Sequence, residues 1–382
     1  MTSLLVIIVL ILLAVSIWQI SKIYQLSNFG GKVDDSQIAN DKDNKVNGYL
    51  MFGFLVFVYL LMIYSVFKWG HLVLINNPAS EHGTDIDNLM VISLVMIFIV
   101  QFITQALLHY FAFKYRGVEG RKALYFADNN KLETVWTIVP VIALSILILY
   151  GLYNWTNVMF VDPEEEDVIY VELYAKQFSW EARYAGEDNA LGKANVRYIE
   201  GVNTLGVDMS DPNSKDDIVV NELHLPKGKR VVFKIRSQDV LHSAYMPHFR
   251  AQMNCVPGMV TQFSFIPTMT TAEMRETPEM RAKVANINKI RGEKSKALLA
   301  KNEEALDPYE FNYLLLCNKI CGASHYNMQM KIVVETEEEF KKWIAEQKTL
   351  DAAINPPVEA AQEVPAVLDT IVVDTTQVTL AK

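Results

Sequence analysis

The residues with the clearest capacity for chemistry lie in one short segment, Cys317-Asn-Lys-Ile-Cys321-Gly-Ala-Ser-His325-Tyr-Asn-Met328. The segment holds two thiols, an imidazole and a thioether, and a second imidazole, His242, follows an expected strand upstream. Soft sulfur donors combined with imidazole favour copper, zinc or iron–sulfur chemistry. We therefore predict a metal site formed by His242 and this segment.

Three interpretations of this cluster compete. A disulfide between Cys317 and Cys321 suits an exported domain, but it leaves the two imidazoles and the thioether without a role. Structural zinc would take a Cys₂His₂ set, yet zinc has little use for Met328. Copper accounts for all five groups, because two thiolates can bridge two copper ions that are completed by one His each, by the thioether and by a backbone carbonyl. Cys255 lies outside the pattern and is expected to be a small buried side chain.

Composition indicates that the chain which carries this site also has a membrane part. Of the 382 residues, 51% are hydrophobic and 21% are charged, and the mean hydropathy is +0.13. Uncharged runs of roughly 20 residues suffice to cross a bilayer. Four such runs, residues 4–20, 49–67, 89–110 and 134–155, predict four membrane spans. The net charge of −9 gives no reason to expect nucleic acid as a partner.

Basic residues in the connecting loops predict the orientation. The loop between the third and fourth runs contains five Lys or Arg. In the loop between the second and third runs, all charged residues after Lys68 are acidic. The positive-inside rule places the basic loop in the cytoplasm, so the large C-terminal part is exported. The first run has no Lys or Arg before it and no cleavage pattern after it, so we expect it to remain as a span and not to act as a signal peptide.

The exported part is expected to be an all-β sandwich or barrel. Short β-rich runs with turn signals between them occur at residues 168–173, 177–184, 218–225, 230–235, 262–265, 311–316 and 330–334. Residues 271–304 are rich in Ala, Lys, Glu, Arg and Met and predict a helical insertion, while residues 185–215 predict a long loop. A Thr cap predicts a short helix from Thr336 to Trp343.

The chain resembles subunit 2 of haem-copper cytochrome c oxidase, which carries the dinuclear copper centre CuA in a cupredoxin domain. The resemblance rests on Ser237-Gln-Asp239-Val-Leu-His242-Ser, Pro257-Gly258, the metal segment and Leu132-Glu133-Thr134-Val-Trp136-Thr137-Ile-Val-Pro140. It implies that copper is bound by His242, Cys317, Cys321, His325 and Met328, with the carbonyl of Lys319 as a sixth contact. Quinol oxidases of the same superfamily have lost these ligands, which are complete here.

The resemblance also implies roles for three further residues. Glu133 would lie at the entrance of a proton pathway into the catalytic subunit, although an acid at this position is equally explained by the dipole of the helix that it begins. Trp180 and Phe178 stand where the family usually has two Trp, of which the first passes the electron from cytochrome c. Phe178 therefore departs from the family pattern.

Other departures concern the surroundings of the copper ligands. Lys319 replaces an acid that is common between the two Cys, and Asn254 and Met259 stand where Asp and Arg are usual. These changes place in question a magnesium or manganese site and the usual cytochrome c docking surface. No C-x-x-C-H haem motif is present, so the donor cytochrome is not fused to this chain.

The predicted fold is membrane-anchored, with four transmembrane α-helices followed by an all-β cupredoxin sandwich. The predicted divisions are residues 1–87, an extra two-helix segment; 88–156, a transmembrane hairpin; 157–345, the exported domain with its 271–304 insertion; and 346–382, a flexible tail. The predicted localisation is the bacterial inner membrane, multi-pass, with the cupredoxin domain on the periplasmic side.

The predicted function is that of an electron-transfer subunit. CuA would accept electrons from a cytochrome c, which is tethered or part of another respiratory complex. Its other partners would be catalytic subunit 1, which reduces oxygen to water and pumps protons, the other oxidase subunits and the lipid bilayer. The alternatives are a membrane-anchored copper-delivery protein and a structural zinc domain.

Overall fold

The computed structural model describes residues 2–27, 40–73, 78–125, 127–161 and 168–356. It divides into two compact units. The membrane-helix unit comprises Met1–Val73 and Ile92–Val141, and the sandwich unit comprises Leu74–Val91 and Ile142–Lys382.

Four long helices precede the β-domain: α1 (Thr2–Ser27), α2 (Asp41–Val73), α3 (Glu81–Lys114) and α4 (Asn130–Met159). By length and composition α2, α3 and α4 can each cross a membrane, which confirms the second, third and fourth predicted spans. The predicted first span is helical too, and its described apolar stretch, Ile8–Tyr24, is shorter. The chain is therefore a membrane-anchored protein with three to four apolar helices.

Within the membrane-helix unit α2 packs against α3. The Tyr59 hydroxyl donates to the carbonyl of Phe102 at 2.5 Å. Gly48 permits the close approach, because a side chain there would meet the ring of Phe113. At the end of α3 the amide of Asn44 donates to the carbonyl of Gly117 at 3.2 Å, so the two helices remain paired up to the loop.

The exported part is a β-sandwich, as predicted. Its strands are β1 (Val168–Lys176), β2 (Ser179–Tyr184), β3 (Ile218–Val220), β4 (Leu223–Pro226), β5 (Arg230–Ser237), β6 (His242–Met246), β7 (Ala251–Cys255), β8 (Thr261–Phe265), β9 (Tyr313–Cys317) and β10 (Gln329–Glu335). They form two five-stranded sheets in the orders β3-β2-β1-β5-β8 and β4-β10-β9-β6-β7. Inward-facing side chains of both sheets, among them Phe233, Phe265 and Leu315, form one hydrophobic core.

The strand prediction was wrong in two places. The predicted strand 218–225 is two strands that belong to different sheets, β3 and β4. Strands β6 and β7 were not predicted, because neither contains a β-branched residue. Pairing with neighbouring strands holds both of them in extended conformation.

Two short stretches of the sandwich unit join the β-domain to the long helices. The backbone N–H of Ala79 donates to the carbonyl of His248 at 2.8 Å, and the Ser80 hydroxyl donates to the carbonyl of Phe249 at 2.7 Å. At the end of α4 the carbonyl of Val158 accepts from the Ser264 hydroxyl at 2.6 Å. The residues on both sides of the predicted hairpin are thus part of the domain's own packing.

Four shorter α-helices complete the described part of the chain: α5 (Thr271–Glu276), α6 (Pro278–Leu299), α7 (Glu337–Ala345) and α8 (Leu350–Ile354). The first two form the predicted helical insertion, and α7 is the predicted short helix. α8 lies inside the predicted flexible tail, but its Leu350 is buried and donates a backbone hydrogen bond to the carbonyl of Asp217 at 2.7 Å. The start of residues 346–382 is therefore folded, and residues 357–382 lie outside the described residues.

Candidate metal centre

The topology of one sheet brings the predicted ligands together. Strand β9 ends at Cys317, and its antiparallel neighbour β6 begins at His242. Because antiparallel neighbours place the end of one strand beside the start of the next, these two side chains meet at the same sheet edge. The chain then loops from Cys317 to β10, where the N–H of Cys317 donates to the carbonyl of Met328 at 3.1 Å and closes the loop.

Two thiols form the middle of the site. The Sγ atoms of Cys317 and Cys321 are 3.9 Å apart. Nδ1 of His242 lies 3.7 Å from the Cys317 sulfur, and Nδ1 of His325 lies 3.6 Å from the Cys321 sulfur. Each thiol therefore has one imidazole beside it.

The remaining two predicted ligands each lie beside a different thiol. The Sδ of Met328 is 3.8 Å from the Cys321 sulfur, and the carbonyl oxygen of Lys319 is 3.2 Å from the Cys317 sulfur. Lys319 is an exposed residue, and the group that it contributes to the site is its backbone carbonyl. The structure thus brings together all six groups that the sequence predicted.

The donor set at this site suits a bound metal ion. Within the described residues, the ligand atoms of His242, Cys317 and Cys321 form the only group of three His, Cys, Asp or Glu close enough to hold a metal, with all three within 4.8 Å of one another. Burial, together with the neighbouring Cys317 thiol, raises the pKa of Cys321 to about 11. A thiol of this kind ionises near neutral pH only where a positive charge compensates it. The residues present therefore fit a thiolate-bound metal.

Cys255 behaves as predicted from its place outside the motif. It is fully buried in β7, opposite His242 in the strand register. Burial raises the pKa of its thiol to about 12, which keeps it protonated. None of the three cysteines forms a disulfide, so the disulfide interpretation of Cys317 and Cys321 is not what the structure shows.

Two residues of the site were given no role by sequence reasoning. The carboxylate of Asp239 lies 2.8 Å from Nε2 of His242 and also accepts the backbone N–H of Gln177 at 2.7 Å. The side-chain amide of Gln177 donates to the carbonyl of Cys321. Carboxylates behind a ligating His orient the ring and fix its tautomer. The signal was available, since Asp239 lies three residues before His242 in the motif.

The two aromatic residues flank the site from the hairpin between β1 and β2. The ring of Trp180 is buried, and its centroid is 6.3 Å from that of His242. The half-buried ring of Phe178 lies against Gly322, where an added Cβ would be 2.8 Å from two of the ring atoms. Gly322 has φ +148°, so both its conformation and the ring exclude a side chain.

Glu133 is placed in the other unit, in the first turn of α4. Its side chain is exposed, and its N–H donates to the carbonyl of Asn129 at 2.9 Å. The amide oxygen of Asn129 accepts the N–H of Leu132 at 3.1 Å, which caps this end of the helix. The position agrees with the helix-dipole explanation, and a proton role stays a prediction.

Comparison with known proteins gives two family matches. Residues 74–154 match the model of the cytochrome C oxidase subunit II transmembrane domain, and residues 171–276 match that of the cytochrome C oxidase subunit II periplasmic domain. Helices α1 and α2 precede the first match. Among the predicted ligands, only His242 falls inside the second.

Three relatives cover between 52% and 74% of the chain. The alternative cytochrome c oxidase subunit 2 of Bradyrhizobium diazoefficiens is 32% identical over 242 residues, which are 63% of this chain and 72% of the relative. Cytochrome c oxidase subunit 2 of Alkalihalophilus pseudofirmus is 22% identical over 288 residues, 74% of this chain and 64% of the relative. A probable quinol oxidase subunit 2 of Staphylococcus saprophyticus is 26% identical over 200 residues, 52% of this chain and 44% of the relative.

Proposed function

Because this chain belongs to the cytochrome c oxidase subunit II family, whose members are parts of an oxidoreductase complex, we propose that its periplasmic domain holds CuA and receives electrons from a cytochrome c. The relatives include a cytochrome c oxidase subunit and a probable quinol oxidase subunit, so family membership alone does not decide the electron donor. The ligand set favours a cytochrome c as the donor. A subunit that took electrons directly from quinol would have no need of two thiols flanked by imidazoles.

The observation that carries the proposal is the pairing of each thiol with its own imidazole. The Sγ atoms of Cys317 and Cys321 are 3.9 Å apart, and His242 and His325 each lie beside one of them, so these four residues would hold the copper. Met328 and the carbonyl of Lys319 would complete the two ions. When bound, such a pair supplies one-electron chemistry with the charge shared between two ions, so that little rearrangement accompanies each transfer.

The protein's own residues keep the ligands in place. Asp239 orients His242 through Nε2, which leaves Nδ1 directed at the Cys317 sulfur. Gln177 joins this carboxylate to the Cys321 carbonyl, so the β1–β2 hairpin and the ligand loop are held together. Buried His242, Cys321 and Met328 exclude water from one side of the site.

The donor would approach the exposed side. Phe178 lies against Gly322, and the side chains of Ile320 and Tyr326 in the same loop are 89% and 88% exposed. These aromatic and apolar groups offer a contact surface for a cytochrome c, tethered or carried by another respiratory complex. The electron then passes to haem and copper of subunit 1, which reduces oxygen to water and pumps protons, with Glu133 at the entrance of a proton pathway.

The proposal also includes the membrane in which the chain lies and its orientation there. The membrane would be the bacterial inner membrane, with the sandwich on its periplasmic side and α1 and α2 forming an extra N-terminal segment. Residues 88–156 would be the hairpin that contacts subunit 1, and residues 157–345 the exported domain. A magnesium or manganese site is left outside the proposal, because Lys319 stands where an acid is common in the family.

The test is a copper count with an electron paramagnetic resonance spectrum, made on the full-length chain loaded with copper in detergent. We expect two copper ions per chain that share one unpaired electron. Cys321→Ser should abolish this spectrum, whereas the matched control Cys255→Ala should leave it unchanged. A single copper without a shared electron would favour a copper-delivery protein, and bound zinc without a signal would favour a structural site.

A further inference from the structure

A cavity of about 530 Å³ lies in the membrane-helix unit, where α3 ends and the chain turns back towards α4. Phe111, Tyr115 and Leu124 contribute apolar walls, and Arg116, Arg121 and Lys122 contribute positive charge. A volume of this size is typical of small-molecule sites. The combination of apolar walls and three cations indicates a ligand with an anionic group and a hydrocarbon part.

The basic residues have no carboxylate partners within the described part of the chain. Arg116 donates from Nη1 to the carbonyl of Phe113 at 2.8 Å, and Arg121 donates from Nη1 to the carbonyl of Lys114 at 2.9 Å. Each bond positions the guanidinium while using one of its five N–H donors. Glu119 and Asp128, the two acids in the same loop, are not part of the lining. The arginines therefore keep donors for an external anion.

The position of the cavity at the membrane surface indicates where that anionic group comes from. Helix α4 leads into the periplasmic domain, so the loop before it lies on the cytoplasmic side of the membrane. Tyr115 and Leu124 are 61% and 87% exposed in the structure, as expected of side chains that contact lipid at the membrane surface. Basic pockets beside transmembrane helices on this side bind lipid headgroups.

We propose that this cavity binds the headgroup of an anionic phospholipid. Arg116 and Arg121 would hold the phosphate through charge-assisted hydrogen bonds, and Lys122 would add a third positive charge. Phe111 and Leu124 would contact the first carbons of the acyl chains. A soluble phosphate compound would leave these apolar walls without a partner, so the membrane lipid is the better match. The inference does not depend on copper or on the electron donor.

The test compares lipid binding by two charge-matched variants of the intact oxidase complex. The site variant carries Arg116→Gln, Arg121→Gln and Lys122→Gln. The control carries Lys42→Gln, Lys45→Gln and Lys131→Gln, which remove the same charge from exposed residues outside the lining. Each complex is stripped of lipid in detergent and titrated with phosphatidylglycerol or phosphatidylcholine, and bound lipid is counted by mass spectrometry.

We expect the site variant to bind phosphatidylglycerol about tenfold more weakly than the control, and neither variant to retain phosphatidylcholine tightly. Equal binding by the two variants, or equal retention of the two lipids, would overturn the proposal. So would displacement of the lipid by glycerol 3-phosphate at similar concentration, since that result identifies a soluble anion. If the site variant does not assemble, Arg116→Lys with Arg121→Lys keeps the charge, and it should show weaker binding because Lys cannot make the bidentate contact.

Discussion

Asp239 and Nδ1 of His242 lie on opposite sides of one imidazole ring, since the Asp239 carboxylate meets Nε2 at 2.8 Å while Nδ1 faces the Cys317 sulfur. The ring is completely buried, so this contact fixes which nitrogen is available to a metal. The same carboxylate also anchors the backbone of Gln177. The first prediction follows from this arrangement.

Asp239→Asn should lower copper affinity about tenfold or more, because replacing a carboxylate behind a ligating His costs roughly 10- to 100-fold in metal affinity. Competition with a copper chelator on the full-length chain measures the change. Asp307→Asn, at an exposed acid of the loop before β9, is the matched control. Equal affinities of the two variants would show that Asp239 does not support His242.

Phe178→Ala should slow electron entry without releasing copper. The ring fills the space beside Gly322 at the exposed edge of the ligand loop, and its removal opens a gap between a docked cytochrome and the centre. We expect a loss of about tenfold in the rate of cytochrome c oxidation, corresponding to about 1.4 kcal/mol. Stopped-flow absorbance of the assembled oxidase measures the rate. The exposed Tyr198→Ala should have the wild-type rate, and an unchanged rate in Phe178→Ala would exclude this entry route.

Arg183→Met should destabilise the sandwich by about 3 to 5 kcal/mol, because it leaves the buried Asp217 carboxylate without its Arg partner and Glu172 with Arg236 alone. The guanidinium contacts Glu172 at 2.6 Å and Asp217 at 2.7 Å, and all three side chains are almost completely buried. The free energy of unfolding is measured by denaturant titration of the full-length chain. Arg281→Met removes an exposed ion pair with Glu276 and should change it by less than about 0.5 kcal/mol. Similar values for both would mean that the buried cluster is not needed for stability.

His248 should make the domain less stable in mild acid. Burial, helped by the charges of Lys283 and Arg250, lowers its pKa from 6.5 to about 4 in the folded protein. Between these values the unfolded chain binds a proton that the folded chain does not, so stability falls as pH drops through this range. The contribution lost between pH 7 and pH 5 is about 2 kcal/mol.

His248→Phe removes this proton and can keep the edge-to-face contacts with Phe311 and Tyr313. The variant should therefore lose about 2 kcal/mol less stability than the wild type between the two pH values. Denaturant titrations at both pH values measure the difference. Parallel losses in the two proteins would show that other groups cause the acid sensitivity.

The sequence was sufficient to predict the features that depend on a local pattern. Long apolar runs predicted the helices, and short β-rich runs predicted strands such as β5 and β10. The spacing of the ligands from Cys317 to Met328 predicted a metal site, because that spacing lies within one loop. Even so, only the strand pairing explains why His242, 75 positions before Cys317, meets the same loop.

Features that depend on distant contacts could not be predicted. The weak β-propensity of β6 and β7 is overridden by their neighbours in the sheet. α8 lies beside a Pro-rich stretch, and burial of Leu350 against Tyr174 and Leu205 stabilises it. The partners of Arg183 are Glu172, Asp217 and the carbonyl of Gly192, which lie in three separate segments, so no local spacing brings them together.

The contacts at both ends of the sandwich unit have a mechanical consequence. Near the start of α3, the carboxylate of Asp87 accepts two hydrogen bonds of 2.6 and 2.8 Å from Arg250, and the carbonyl of Val158 at the end of α4 accepts one from Ser264. These bonds connect the first turns of α3 and the last turn of α4 to the β-sandwich of the same unit, so the sandwich cannot lose its packing without releasing both helix ends.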